Sequence, residues 1–247
     1  MTKQLLFISM LGEVDQFDPR HFTDLCPTGL ERDWVLEWHG PLAAAEDLEL
    51  IAVDICRSEA LPDPSAIAGV VLGGTLHVVT EDRVWLHRLR AWLKNYRPTG
   101  KPLLAICGGH QMLATQFGDG ELAGREAGTL AGTYPVRLSD AACGHQLFDG
   151  IPPEPAFHFA NYLHVLPSAD QAAGILATQD DSPAIVIDHG GSWYSSQFHP
   201  EARKASWDRY YGLLDPDYES AYRDEHEGKR FLTNFFRIVA ERKSRTD

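Results

Sequence analysis

The chain has 247 residues, 44% of them hydrophobic and 23% charged, as an ordinary globular protein has. Its 22 Lys and Arg face 35 Asp and Glu, a formal net charge of −13, which disfavours non-specific nucleic-acid binding and adhesion to an anionic membrane. The length accommodates one large domain, and the apolar runs are too short to span a bilayer.

In chain order, the first predicted strand is Gln4 to Leu11, "QLLFISML". Its continuous apolar character suits a strand buried on both faces, as do Leu48 to Ile55, Ile67 to Gly74 and Lys101 to Cys107. Between the last two, "EDRVWLHRLRAWLKNY" sets Val84, Trp85, Leu89, Trp92 and Leu93 on one helical stripe. A further helix is expected to begin at "HQML" and to continue over Met112 to Phe117. Strand–helix–strand alternation predicts a mostly parallel α/β sheet with right-handed crossovers. The second half carries shorter strand-like pieces, "TYPVRLS", "AIVIDHG" and "SWYSSQF". The final predicted helix, "EGKRFLTNFFRIVAERK", places Phe231, Leu232, Phe235 and Val239 on one side. No internal repeat or low-complexity linker interrupts the chain, so residues 1–247 are read as a single domain. Two segments read as insertions into it, 12–47 and 202–227, because long loops usually carry function or structure of their own. In the first, Trp34 and Trp38 lie four apart and share a helical face, suited to a lid or to core packing.

The four cysteines are scattered without a CxxC pair, and the opening "MTKQLLFISMLGEVD" is too short and acidic for a secretory signal, so a cytoplasmic location is expected. Cys107 differs from Cys26, Cys56 and Cys143, which are read as structural. It ends an apolar strand and precedes Gly108 and Gly109 and the start of a helix, in "LLAICGGHQML". A tight strand-to-helix turn projects a nucleophile clear of the sheet, and the next amide, that of Gly108, faces a developing oxyanion. Acyl transfer by a thiolate also needs a base and a group to orient that base. "SSQFHPEA" supplies His199 and, two residues on, Glu201; Pro200 favours an extended backbone at His199, which sets the two side chains on one side. Gly73 and Gly74, in "VLGGTL", offer a second oxyanion donor. His110 reads as a packing residue at the helix start. His158, His164 and His189 lack ligand spacing, so no metal is expected. With neither GxxxxGK[ST] nor GxGxxG present, no nucleotide cofactor is expected either.

Together "LLAICGGHQML", "SSQFHPEA" and "VVLGGT" resemble the class I glutamine amidotransferases, whose elbow commonly reads C-x-G-x-Q and whose histidine and glutamate lie in H-P-E. The likeness extends to "GREAGT", "LFDGIP" and the final helix. It implies a flavodoxin-like three-layer sandwich and glutamine hydrolysis through a γ-glutamyl thioester, with ammonia passing to an acceptor or to a separate synthetase partner. By motif, Cys107 becomes the nucleophile, His199 the acid/base, Glu201 its orienter, Gly74 and Gly108 the oxyanion donors, and Gln111 a residue of the glutamine pocket. The chain departs from the family pattern at Gly108, usually bulky, and at Thr75, often proline. It departs again in "FHFANYLHVLP", where Asn161 takes the place of an acid beside the substrate and His158 is displaced by one. Two other readings share the architecture: a γ-glutamyl peptide hydrolase and a non-catalytic regulatory protein.

Overall fold

The computed structural model describes residues 2–13 and 15–242. Its main sheet has eight strands in the order β2-β1-β3-β4-β12-β11-β10-β7. These are β1 (Lys3–Ser9), β2 (Leu48–Asp54), β3 (Gly69–Leu72), β4 (Leu103–Ile106), β7 (Arg137–Leu138), β10 (Ile175–Gln179), β11 (Ser182–Asp188) and β12 (Trp193–Ser196). From β2 to β12 every pairing is parallel, and beyond β12 the sheet continues antiparallel. Two ribbons stand beside it: β5 (Glu121–Gly124) pairs with β9 (Leu163–Leu166), and β6 (Leu130–Pro135) with β8 (Ala156–Asn161).

The apolar strands place side chains on both faces, as their composition predicts. On one face Leu5, Phe7, Val71, Leu104 and Ile106 meet α1 (Glu31–Ala45) and α5 (Gly228–Glu241) through Trp34, Val35, Trp38, Phe231 and Phe235. On the other, Leu6, Ile8, Val70, Leu72, Leu103 and Ala105 meet α2 (Val84–Tyr96) and α3 (Gly108–Gln116) through Trp85, Leu89, Leu93, Met112 and Leu113. The period-two alternation of each strand thereby fills two cores and makes the mostly parallel three-layer sandwich expected from the sequence.

Several boundaries differ from expectation. Val84 leaves the predicted stripe: it opens α2 with its side chain in solvent, 78% exposed, while Trp85, Leu89, Trp92 and Leu93 are buried. The helix of the elbow starts at Gly108, directly after Cys107, two residues before the expected start at His110. Segment 12–47 is not an insertion in its second half, because Glu31–Ala45 is the crossover helix that the parallel β1–β2 connection requires. Segment 202–227 carries α4 (Lys204–Leu214).

The order β2-β1-β3 means that the chain leaves β1 in one direction and later returns to its other side. Open α/β sheets hold their ligands in the crevice that forms at such a reversal, here beyond the carboxyl ends of β1 and β3.

Candidate active site

Cys107 follows β4 with φ +49° and ψ −106°, a conformation a residue with a Cβ adopts only under strain, on the order of 1–3 kcal/mol. Its neighbours hold it there: the Cys107 N–H donates to the Ser196 carbonyl of β12 (2.8 Å), and the Gln111 N–H donates to the Cys107 carbonyl (2.9 Å). A Cβ on Gly109 would lie 3.1 Å from the Leu72 carbonyl oxygen and from Leu72 Cγ, so glycine lets the start of α3 sit down on β3. The result is a sharp strand-to-helix elbow with a buried thiol, 6% exposed.

His199 and Glu201 follow β12, the strand beside β4. His199 Nδ1 and Glu201 Oε1 lie 2.7 Å apart and both side chains are buried. Burial opposes charge on the imidazole, but Glu201 and the Cys107 sulfur outweigh it and raise the His199 pKa well above its ordinary value. His199 Nε2 and Glu201 Oε2 have no hydrogen-bond partner among the described residues. The segment is fixed from both sides. The His199 N–H donates to the His158 carbonyl of β8 (2.8 Å). His39 of α1, kept neutral by burial, reaches the Glu201 carbonyl through Nε2 (2.7 Å). The Arg203 guanidinium lies over Trp38, 4.6 Å from the ring centroid.

Gly74, after β3, closes the group. A Cβ there would lie 2.9 Å from His199 Cε1 and 3.4 Å from Cys107 Cβ, so cysteine, histidine and glycine loop meet at one spot. The Gly74 N–H takes no acceptor among the described residues, and Gly108, first residue of α3, is one of the helix-start amides without an intrahelical partner. The two departures from the family pattern fit one another: a Cβ on Gly108 would lie 2.5 Å from Thr75 Cγ2, so the Thr75 methyl fills the room a larger residue 108 would need.

The group opens into a cavity of about 310 Å³ at the β1/β3 crevice. Cys107, His199, Glu201, Gly74 and Asn161 all line it. Asn161 is buried and donates through Nδ2 to the Leu163 carbonyl (2.9 Å), which leaves its Oδ1 without a partner among the described residues. Gln111 differs from expectation, because it is not among the lining residues. Its amide donates to Gln197 Oε1 (3.3 Å) and the Leu163 carbonyl (3.4 Å), and so braces the elbow from behind.

His110 is fully buried, with Nδ1 2.8 Å from Ser195 Oγ, and burial lowers its pKa to about 3; it is the packing residue expected. His158, His164 and His189 bond separately to Thr133, Ser182 and Ser195. Glu13, Asp15 and His77 do bring three possible metal ligands within 4.8 Å of one another. Arg83 already pairs with both carboxylates, at 2.9 and 3.3 Å, which makes the cluster an ion-pair network.

Sequence reasoning passed over Glu31, whose side chain lies in the cavity wall among the site's carboxylates. It accepts a hydrogen bond from Ser9 Oγ (2.6 Å), and burial, reinforced by the nearby Glu201, raises its pKa to about 8. One signal was available: a residue at the N-terminus of the β1–β2 crossover helix must face the carboxyl edge of the sheet. The folded state therefore holds a proton on Glu31 that an unfolded carboxylate, with its pKa near 4.5, releases. Glu31's contribution to stability is complete below pH 4.5, declines as pH rises and is lost through pH 8. Glu31→Gln should accordingly gain in melting temperature relative to wild type between pH 5 and 9, and a constant difference across that range would refute the assignment.

The "Glutamine amidotransferase class-I" family profile matches residues 46–211, more than half of the chain and inclusive of the elbow, the Gly74 loop and the His199–Glu201 pair. The chain belongs to the class I glutamine amidotransferase family. This class I amidotransferase chain is 33% identical over 151 residues to a "GMP synthase [glutamine-hydrolyzing]" of Aeropyrum pernix, covering 61% of the chain but 27% of that protein. It is 30% identical over 173 residues to "Imidazole glycerol phosphate synthase subunit HisH" of Natronomonas pharaonis, covering 62% of the chain and 79% of the relative. Thus the chain spans about a quarter of the length of the first and most of the second. Among solved structures, a glutamine amidotransferase of Thermotoga maritima superposes with TM-score 0.73 at 16% identity, over 98% of this chain and 100% of that one. A glutamine amidotransferase of Methylobacillus flagellatus gives 0.67 at 16% identity, over 97% and 93%. At such identities these two likenesses speak for the fold.

Proposed function

We propose that this protein hydrolyses a γ-glutamyl amide by nucleophilic catalysis at Cys107, with glutamine as the simplest substrate and glutamate and ammonia as products. The observation that carries the reading is the strained elbow at Cys107 set against the buried His199–Glu201 pair. His199 takes the thiol proton, and Glu201 orients the ring and stabilises the imidazolium. Sγ attacks the γ-carbonyl carbon, and the Gly74 and Gly108 amides stabilise the oxyanion. The C–N bond breaks as His199 protonates the leaving nitrogen. Water, deprotonated by the same imidazole, then hydrolyses the thioester. Asn161 Oδ1, buried and without a partner among the described residues, is the acceptor offered to the substrate ammonium. The relatives are a glutamine-hydrolysing synthase and one component of a second synthase, which supports transfer of ammonia to a separate synthetase partner.

Steady glutamate release from glutamine, together with a glutamine-like chloroketone adduct mapped to Cys107 by mass spectrometry, tests the reading. An adduct on Cys26, Cys56 or Cys143 would refute it.

A further inference from the structure

Glutamine leaves the smallest possible amine, ammonia, and needs no space on the leaving-group side of His199. The cavity nevertheless extends past His199. Trp207 of α4 stands edge-on to His199, with ring centroids 4.8 Å apart, and Tyr210 and Tyr211 follow at the next turn. All three line the cavity, at helical spacing on the face α4 turns to the site. Phe17, Phe22 and Trp34 line it too as a second aromatic group, their rings stacked, tilted or edge-on at 4.8–6.1 Å. Tyr162 and Leu214 also line it while remaining 50% and 65% exposed, so the apolar surface runs outward to solvent. A short methylene chain between two polar ends has little use for such a surface. None of the described lining residues is Lys or Arg, so the space offers no cationic partner to an anionic amine.

From this placement we infer that the preferred substrates are γ-glutamyl amides of amines bearing an uncharged aromatic ring, the ring held on the Trp207–Tyr210–Tyr211 wall. The inference rests on Cys107 being the nucleophile. The chemistry is unchanged: the amide C–N bond breaks, the amine departs with a proton from His199, and water releases glutamate, so that γ-glutamyl amide and water give glutamate and the aromatic amine. His199 delivers the proton to the leaving nitrogen, and Trp207 borders that imidazole, so the nitrogen substituent departs beside the aromatic face of α4 in this proposal.

The test compares kcat/KM for γ-glutamyl phenethylamide, γ-glutamyl methylamide and glutamine, all read as glutamate release. The phenethylamide should exceed the methylamide by at least about tenfold, the discrimination a matched apolar pocket supplies. Trp207→Leu should narrow that ratio toward one, with chloroketone labelling of Cys107 as the check that the site is intact. Equal or lower kcat/KM for the phenethylamide in the wild type overturns the inference and leaves glutamine hydrolysis standing. Turnover of none of the three overturns both this inference and the nucleophilic reading of Cys107.

Discussion

Cys107→Ala is expected to lower glutamate release from glutamine by about 10⁵-fold or more, because it removes the covalent route, and His199→Ala should fall within about tenfold of it because the members of a triad act as a unit. Stability should move differently. At φ +49° and ψ −106° the backbone of residue 107 is strained by its Cβ, and only glycine relieves that. Cys107→Gly should therefore be as inactive as Cys107→Ala yet melt at a higher temperature. Activity assays and thermal melts on the two variants separate the claims: near wild-type turnover in either refutes the nucleophile, and a less stable glycine variant refutes the strain.

Gly74→Ala should have the next largest effect without touching a reactive atom. The added methyl would stand 2.9 Å from His199 Cε1, nearer than real Cβ atoms come, so the imidazole or the loop must shift. A displacement of that order costs about 10²-fold in rate, through misplaced base and amide together. The effect should appear in kcat, with the melting temperature nearly unchanged because the loop borders a cavity. An unaltered kcat would show that the Gly74 loop does not need to lie against His199.

The sheet was readable because its strands are buried on both faces. Leu5, Leu6, Phe7 and Ile8 send alternate side chains into two cores, and an unbroken apolar run is the mark of that arrangement. The elbow was readable for a local reason: Cys107, Gly108 and Gly109 are consecutive, a nucleophile at the turn followed by the glycine that lets α3 sit down on β3. What stayed hidden depends on distance in sequence. Residues 31–45 resembled an insertion because α1 has an interior proline, Pro41, and a weakly segregated apolar face that wraps around Trp34 and Trp38. Glu31 and Trp207 lie 176 positions apart by their numbers and line one cavity only because the fold brings α1 and α4 to it. Gln111 shows the converse: its motif position was clear, but the direction of its amide depends on Leu163 and Gln197, remote partners that no local pattern announces.

The contact between Gly108 and the Thr75 methyl has a consequence for how this site can be altered, by evolution or at the bench. The two positions form an epistatic pair: a larger residue 108 enters only after the methyl at 75 has gone, while losing the methyl first leaves a gap beside the elbow. Each single exchange should lower the melting temperature more than the double exchange does. Chimaeras built with relatives should therefore move both loops as one cassette, since a recombination boundary between residues 75 and 108 would separate the two members of this contact.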